Sequence, residues 1–345
     1  TSTSRASSTS WMRACVTWTP ERMAGRWVRR SVLLLVSSMS AGGRSVRLGP
    51  RIVRILRSGG WEVAVRLTTP GDDPAALAGQ VAADAIVAAL GGDGYLSAVA
   101  RGCHESGAIF APMPGGRGND LCRALGIGTD PLARARDLAR LGFASASSGN
   151  EAVAGRVRHG ADSLVKRVRP LDGMWVRSRD GVRLALGVVS VGLDARANIL
   201  ANESSLTSGP LAYGYGAFAA LASHEPTEII ATVDGRRECD LSGWLASVSN
   251  SGRFGGGITL VESSDMSDGI LEVCHVGPMS VARALPILAR VVGGRAKNHP
   301  AIEVETARMV SFSAPAGMIA MADGDRIASI PFTVDVAPGV VSVLV

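Results

Sequence analysis

The sequence predicts an α/β protein of two domains, an N-terminal three-layer α/β domain and a C-terminal β-sandwich-like domain. Three observations support this. The chain has 345 residues, which is enough for two domains with separate cores. From residue 31, short β-branched runs alternate with longer Ala-, Leu- and Arg-rich segments, as in a parallel sheet covered by helices. Beyond a polar break at 144–155, the segments are mostly strand-like.

Composition narrows the class of protein. A hydrophobic content of 46% with 42 glycines favours a soluble globular enzyme over a disordered protein. The five cysteines are scattered without CxxC spacing, which indicates neither a disulfide framework nor a zinc site and fits a reducing cytosol. The net charge of +6 is mild and no basic block is interleaved with aromatics, so we expect no nucleic-acid partner. Residues 1–30 are expected to be a disordered or misassigned N-terminal extension.

The elements of the first domain, 31–160, follow from local patterns. Apolar runs of strand length alternate with helical segments, and glycine pairs mark where helices end. The predicted order is strand 31–37, helix 49–60 with its glycine stop, strand 61–67, helix 74–84, strand 85–90, helix 95–106, strand 108–113 and helix 132–142.

In the second domain, 161–320, turn dipeptides such as Asp234-Gly235 separate β-branched segments. The segments that predict strands are 164–178, 182–195, 227–235, 243–251, 269–277, 301–315 and 330–345.

Two glycine-rich turns carry the chemistry of the first domain. Strand 85–90 runs into GGDG, 91–94, directly before a helix, which presents backbone N–H groups and the positive helix end to an anion. Asp93 cannot itself bind a phosphate and indicates Mg²⁺ nearby. The next strand ends in PMPGGRGND, 112–120, so both turns reach the carboxyl edge of the sheet. Neither GxxxxGK[ST] nor GxGxxG is present, and the combination predicts a nucleotide triphosphate site and phosphoryl transfer.

LGGDG followed by PGGRGNDLCRALGI resembles the catalytic domain of diacylglycerol kinases and related bacterial lipid kinases, whose pattern is GGDGT followed by P-x-G-T-G-N-D-F-A-R. The likeness covers about residues 31 to 345. NAD kinases share GGDG, but the later motifs speak against them. Those motifs are GLDA (192–195), GPLAYG (209–214), SNSGRFGGG (249–257), SDMSDGILEV (264–273) and ADGDRIASIP (322–331).

The resemblance implies roles for particular residues. Asp325 would be the proton acceptor and Asp323 its acidic partner, on strands 321–345 that return to the first domain. A structural Mg²⁺ would be held by the Asp268 carboxylate and the backbone carbonyls of Asp265 and Ile270. The residues expected to line the ATP phosphates or contact the nucleotide are Thr68, Gly91, Gly92, Asp93, Gly94, Gly116, Arg117, Gly118, Asn119 and Asp120.

The sequence departs from the family pattern at several points. Tyr95 and Arg117 replace the threonines of the two loops, Ser37-Ser38 replaces an Asn-Pro, and Asp325 replaces a longer glutamate. Arg117 can make a charge-assisted phosphate contact instead of a hydroxyl contact. Taken without the resemblance, both Asp-Gly motifs are most often simple turns.

The expected function is ATP-dependent phosphorylation of a lipid hydroxyl, that of diacylglycerol, with Mg²⁺. The alternatives are a kinase for a sphingoid base, a monoacylglycerol, a phosphatidylglycerol or a polyprenol, and a catalytically silent nucleotide-binding relative. A lipid substrate implies a cytoplasmic enzyme that associates transiently with the inner face of the cell membrane. A homodimer is compatible with the sequence.

Overall fold

The computed structural model describes residues 16–17, 31–143, 166–192, 227–254, 257–292 and 300–345. The chain divides into two compact units. The first contains the described residues up to Gly116, those of Leu125–Pro170, and Val341–Val345, whereas the second contains Arg117–Ala124 and Leu171–Val340. The remainder of 1–30, the break at 144–155 and GPLAYG lie outside the described residues.

The predicted fold class is confirmed: the first unit is α/β and the second is a β-sandwich-like unit. The helices are α1 (Arg44–Ser58), α2 (Pro74–Gly79), α3 (Asp93–Ser106), α4 (Asp120–Ala124), α5 (Pro131–Phe143) and α6 (Val281–Val292). The strands up to the first long gap are β1 (Val16–Thr17), β2 (Ser31–Ser37), β3 (Glu62–Thr68), β4 (Ile86–Gly91) and β5 (Ile109–Pro114). The later strands are β6 (Val168–Ser178), β7 (Gly181–Ala185), β8 (Val188–Gly192), β9 (Ile230–Val233), β10 (Arg237–Asp240), β11 (Leu245–Ser249), β12 (Arg253–Phe254), β13 (Ile258–Thr259), β14 (Leu271–Val276), β15 (Glu303–Ala307), β16 (Met309–Ala314), β17 (Ile319–Ala322), β18 (Asp325–Ser329) and β19 (Phe332–Leu344).

The sheet of the first unit is parallel, in the order β1-β3-β2-β4-β5. All seven residues of β2 are buried, as expected for a strand covered on both faces. Helix α1 begins at Arg44, earlier than the predicted segment, because a 3₁₀ turn at Ser40–Gly43 joins it to β2. Helix α2 stops at Gly79, short of the predicted 74–84. The bounds of β2 to β5 differ from the predictions by one residue at most, whereas β1 lies in the segment 1–30, where no strand was predicted.

In the second unit, antiparallel pairing dominates, as the turn dipeptides predicted. One sheet has the order β15-β14-β11-β8-β17-β18, and another contains β19-β16-β9-β10 with the β6–β7 hairpin beside β19. Side chains from both sheets form one apolar core, in which the rings of Phe312 and Phe332 stack at a centroid distance of 4.8 Å. A core between two antiparallel sheets defines a β-sandwich.

The C-terminal segment differs from the expectation for 321–345. Strands β17 and β18 pair with each other, and β17 pairs with β8, so they belong to the second unit. Only Val341–Val345 lie in the first unit, where Ser342 and Val343 pair in parallel with β5.

A buried arginine fixes this last strand in the first unit. Arg134 on α5 is 2% exposed and donates from Nε to the Pro112 carbonyl oxygen (3.2 Å) and from Nη2 to the Leu344 carbonyl oxygen. Its Nη1 donates to the Asp137 carboxylate at 3.0 Å. One guanidinium therefore ties α5 to both β5 and the C-terminal end of β19.

We predict that Arg134→Ala lowers the free energy of unfolding by about 3 kcal/mol, because its acceptors lose a buried, charged donor. Chemical denaturation followed by circular dichroism measures this. Arg136→Ala, on the exposed side of the same helix, is the matched control and should change stability by less than about 0.5 kcal/mol. Equal effects of the two substitutions would contradict the role given to Arg134.

Candidate active site

Three loops interlock at the carboxyl edge of the parallel sheet. They follow β2, β4 and β5 and contain Ser40–Gly43, Gly91–Gly94 and Pro114–Gly116. The Gly115 N–H donates to the Gly91 carbonyl oxygen at 2.8 Å, and the Gly92 N–H donates to Ser40 Oγ at 3.0 Å. The two predicted glycine turns are therefore brought together, as expected for neighbouring parallel strands.

Glycine is required where these loops touch. A Cβ added to Gly115 would lie 2.5 Å from Ser45 Oγ and 2.8 Å from the backbone nitrogen of Gly91. A Cβ added to Gly91 would lie 2.3 Å from Cδ1 of Tyr95. Glycine at these two positions therefore lets the loops pack directly against each other and against the start of the following helices.

The loop after β2 was missed by the sequence prediction. Ala41, Gly42 and Gly43 all have positive φ, and this turn brings Ser40 to Gly92. Ser37 Oγ accepts from the Ser40 N–H at 3.2 Å, which secures the turn. The signal was present as Ser-Ala-Gly-Gly directly after a buried strand, the same strand–glycine–helix pattern as at GGDG.

Tyr95, which replaces a threonine of the family pattern, has a hydrogen-bond partner at the edge of the sheet. Its hydroxyl lies 3.2 Å from Oγ1 of Thr68, which also donates to the Val36 carbonyl oxygen at 3.2 Å. Burial raises the pKa of the Tyr95 phenol, so it stays neutral. Thr68 is only 4% exposed, and its hydroxyl supports Tyr95. The expected contact of Thr68 with a nucleotide stays a prediction.

The remaining predicted phosphate residues lie at the two helix starts. Asp93 and Gly94 open α3, directly after Gly92, and both are partly exposed. Gly116 ends the first unit's part of the second loop, and the chain continues in the second unit with Arg117, Gly118, Asn119 and Asp120. Arg117 is exposed, and its contact with a phosphate stays a prediction. Asn119 is 4% exposed and has a φ of 56°, a left-handed residue that aims the chain into α4.

In the second unit, Asp323 and Gly324 form the two-residue turn between β17 and β18. Both have positive φ, which suits the twist of a tight hairpin, and Ala322 pairs with Asp325 across it. The Asp323 carboxylate accepts from the backbone N–H groups of Leu186 and Gly187, both at 3.1 Å. Asp323 therefore anchors the turn to the loop between β7 and β8.

Asp325 is presented by this anchored turn. Although the residue is exposed overall, desolvation raises the pKa of its carboxyl, and the neighbouring negative charge of Asp323 raises it further. A carboxyl of raised pKa is a stronger proton acceptor once ionised than an ordinary surface aspartate.

Two buried side chains extend this network. Asn250 is 1% exposed and its Nδ2 donates to the carbonyl oxygens of Leu186 (3.0 Å) and Asp172 (2.9 Å). Asp172 is 2% exposed and accepts from the N–H groups of Gly269 (2.7 Å) and Gly339 (2.6 Å). Asp172 was missed, because a single aspartate in a strand-like segment carries no motif.

The turn at Asp265–Ile270 contains the three residues that the sequence predicts as metal ligands, and their role stays a prediction. Asp268 Oδ1 accepts from the Ile270 N–H at 2.9 Å, and the Asp265 carbonyl oxygen accepts from the Asp268 N–H at 3.4 Å. Nearby Glu272 is 7% exposed, and its Oε2 has no hydrogen-bond partner in the described part of the chain. Burial raises the pKa of Glu272, and the charge of Asp268 contributes. This donor set fits a hard divalent cation.

The described residues include no cluster of three or more His, Cys, Asp or Glu side chains arranged as metal ligands. A cation at this turn would therefore depend on backbone carbonyl oxygens and water in addition to Asp268, as Mg²⁺ does when it keeps part of its hydration shell.

Comparison with known proteins decides the family. Residues 31–149 match the family model of the diacylglycerol kinase catalytic domain, and residues 187–345 match that of the YegS C-terminal NAD kinase beta sandwich-like domain. The chain belongs to the diacylglycerol kinase catalytic-domain family. It is therefore of the general lipid-kinase kind, and the family implies the use of ATP.

Family relatives are similar over nearly the whole chain. Proteins named diacylglycerol kinase from two strains of Mycobacterium tuberculosis, CDC 1551 / Oshkosh and H37Rv, are 23% identical over 316 residues, which cover 91% of this chain and 94% of theirs. The crystal structure of a diacylglycerol kinase from Bacillus anthracis str. Sterne has a TM-score of 0.67 at 17% identity, covering 91% of this chain and 96% of that chain. The structural likeness shows the shared fold.

No helix in the described ranges is both long and apolar enough to span a bilayer.

We predict that Gly115→Ala destabilises the protein by about 2 kcal/mol and weakens ATP binding, because the added methyl group forces the loops apart. Gly71→Ala is the matched control: no atom lies within 4 Å of the added Cβ, so stability should be unchanged or slightly higher. Denaturant titration and isothermal titration calorimetry with ATP test both. Unchanged ATP affinity in a folded Gly115→Ala variant would argue against a nucleotide at this edge.

Proposed function

We propose that this chain is an ATP-dependent diacylglycerol kinase that transfers the γ-phosphoryl group to the free hydroxyl of diacylglycerol and produces phosphatidic acid. The observation that carries the proposal is Asp325, an aspartate of raised pKa on an anchored turn in a chain of the lipid-kinase kind. Such a carboxylate suits an acceptor for an alcohol proton.

The first step in this proposal is nucleotide binding. The backbone of Gly91–Gly94 and the start of α3 would hold the phosphate groups of ATP, with Gly116 to Asp120 as the second loop. The exposed Arg117 guanidinium would neutralise phosphate charge with a bidentate contact. The half-buried Asp93, directly after Gly92, would interact with the cation that accompanies ATP.

The second step is phosphoryl transfer. The hydroxyl oxygen of the lipid attacks the γ-phosphorus, the bond from that phosphorus to the β,γ-bridging oxygen breaks, and ADP leaves with the electron pair. The hydroxyl proton passes to the Asp325 carboxylate. Asp323 acts through position and charge, because it holds the turn by two backbone hydrogen bonds and raises the pKa of Asp325.

Mg²⁺ would serve this reaction at two places. Asp265, Asp268 and Ile270 would hold one cation, whose chemistry is to draw the oxygen atoms of this turn together and offset the buried charge of Glu272. Asp93 would contact the cation bound to the ATP phosphates.

One observation favours a second candidate, a nucleotide-binding relative without catalysis. Tyr95 occupies the position of the family's loop threonine, and the hydroxyl of Thr68 is taken up by Tyr95 and Val36. The hydroxyl groups of Tyr95 and Thr68 therefore contact protein atoms, and a phosphate would have to be bound without them. A different lipid acceptor, such as a sphingoid base, a monoacylglycerol, a phosphatidylglycerol or a polyprenol, remains within the same mechanism.

We predict that the purified protein transfers labelled phosphate from ATP to diacylglycerol in mixed micelles with Mg²⁺, and that Asp325→Asn lowers kcat at least about 100-fold. Asp93→Asn should raise the Mg²⁺ requirement. Asp234→Asn is the control for an aspartate at a hairpin turn, because Asp234, like Asp323, precedes a glycine and accepts two backbone N–H groups. Binding of ATP without transfer to any of the named lipids would favour the silent relative.

The pH profile tests the partnership of the two aspartates. Because the raised pKa keeps Asp325 protonated at higher pH than an ordinary aspartate, kcat should rise with pH through that pKa. Asp323→Asn removes the negative charge that contributes to the shift, so the acidic limb of the profile should move to lower pH. Asp234→Asn should leave the limb in place. A limb that does not move in Asp323→Asn would refute the electrostatic role of Asp323.

A further inference from the structure

Helix α6 exposes an unusual apolar surface. Val281 and Leu285, one turn apart, are 48% and 36% exposed, and Ala282, Pro286 and Ala289 beside them are also exposed. Two of the large apolar residues that stand exposed in the described ranges therefore lie on this one helix. Side chains four positions apart share one helix face, so these residues form a continuous apolar strip.

The helix is attached to its unit through its opposite side. Ala284 is 7% exposed and lies in a small apolar cluster with Trp244, separate from the core between the sheets. The Trp244 indole donates to the Met279 carbonyl oxygen at 3.0 Å, which fixes the chain just before the helix. The contacts of Ala284 and Trp244 thus hold one side of α6 against the second unit and leave the apolar strip exposed.

Charge on α6 has a single sign. Arg283 and Arg290 are both exposed and lie together along one edge of the apolar strip, next to Pro286, and the helix contains no Asp or Glu. Neither arginine forms an ion pair with any residue that the structure describes. An apolar strip bordered by uncompensated cations matches a bilayer surface that carries anionic head groups.

We propose that α6 is the surface through which this protein docks on an anionic lipid bilayer, with the strip of Val281 and Leu285 in the acyl boundary and Arg283 and Arg290 at the head groups. The inference rests on the proposed function in one respect, since a lipid kinase must reach a substrate in a bilayer. The same surface binds the bilayer whether or not turnover follows.

A second copy of the chain fits this surface less well. In a two-fold contact the same strip meets itself, which brings the arginines of the two copies near one another. Because α6 has no carboxylate to pair with them, that contact would gather uncompensated positive charge. On an anionic bilayer, the head groups would instead neutralise the positive charge of these arginines.

The test is co-sedimentation of the full chain with phosphatidylcholine vesicles made with and without phosphatidylglycerol. Wild type should bind the anionic vesicles and lose binding as salt is raised. Arg283→Gln with Arg290→Gln should weaken binding to anionic vesicles about 30-fold, since each arginine near the surface contributes to attraction. Val281→Ser with Leu285→Ser should weaken binding about tenfold or more to either vesicle.

Matched controls lie on the same unit. Val182→Ser with Val304→Ser changes two equally exposed valines elsewhere, and Arg236→Gln with Arg308→Gln removes two exposed arginines. Both pairs should bind like wild type. Phosphorylation of a short-chain diacylglycerol dissolved as a monomer should be the same in the α6 variants as in wild type, which shows that they are folded.

Three results would overturn the docking surface: no binding of wild type to anionic vesicles, equal binding by the α6 variants, or a dimer that Val281→Ser with Leu285→Ser converts to monomer without affecting vesicle binding. Vesicle binding needs no ATP and is separable from the reaction. Binding that depends on α6 without turnover supports the surface and contradicts the proposed function. Turnover by a protein whose vesicle binding does not depend on α6 supports the proposed function and contradicts the docking surface.

Discussion

The arrangement of the second unit's motifs depends on two buried side chains, Asn250 and Asp172. Asn250 joins the backbone of Leu186 to that of Asp172, and the Asp172 carboxylate then holds the N–H groups of Gly269 and Gly339. A hydrogen bond of this kind is modest on its own, but losing one partner leaves a buried polar group unsatisfied, which costs about 1–3 kcal/mol. The turns around Asp325 and Asp268 are therefore held by one connected set of hydrogen bonds.

Much of the fold could be predicted, because the buried parallel strands of the first unit are continuous apolar runs in the sequence. Strand β2 was predicted at its observed bounds, and the glycine turns after β4 and β5 were predicted to reach the same edge of the sheet, where Gly115 contacts Gly91. Parallel strands with both faces covered cannot alternate in polarity, so their segments stand out from the sequence. The hairpin at Asp323-Gly324 could also be expected, because Asp and Gly are the residues that tolerate positive φ.

What escaped prediction depends on contacts distant in sequence. Ser40 contacts Gly92, 52 positions away, and Asn250 contacts Asp172, 78 positions away. A serine or an asparagine has many uses, so its type alone does not identify the partner. Helix α6 escaped although its segment is rich in Ala, Leu and Arg, because Pro286 interrupts the helical pattern and the neighbouring segments are mostly strands.

The departures at Tyr95 and Asp325 differ in physical kind. Tyr95 is accommodated, because Gly91 has no side chain to obstruct the ring and Thr68 gives the buried hydroxyl a partner. Asp325 is shorter by one methylene than the family glutamate, and its position therefore depends more strictly on the backbone of its turn. That turn is the part of the motif with the most anchoring, since Asp323 binds two consecutive N–H groups of the β7–β8 loop. A short side chain loses less conformational freedom on ordering, so a rigid turn with an aspartate can place a proton acceptor as well as a looser turn with a glutamate.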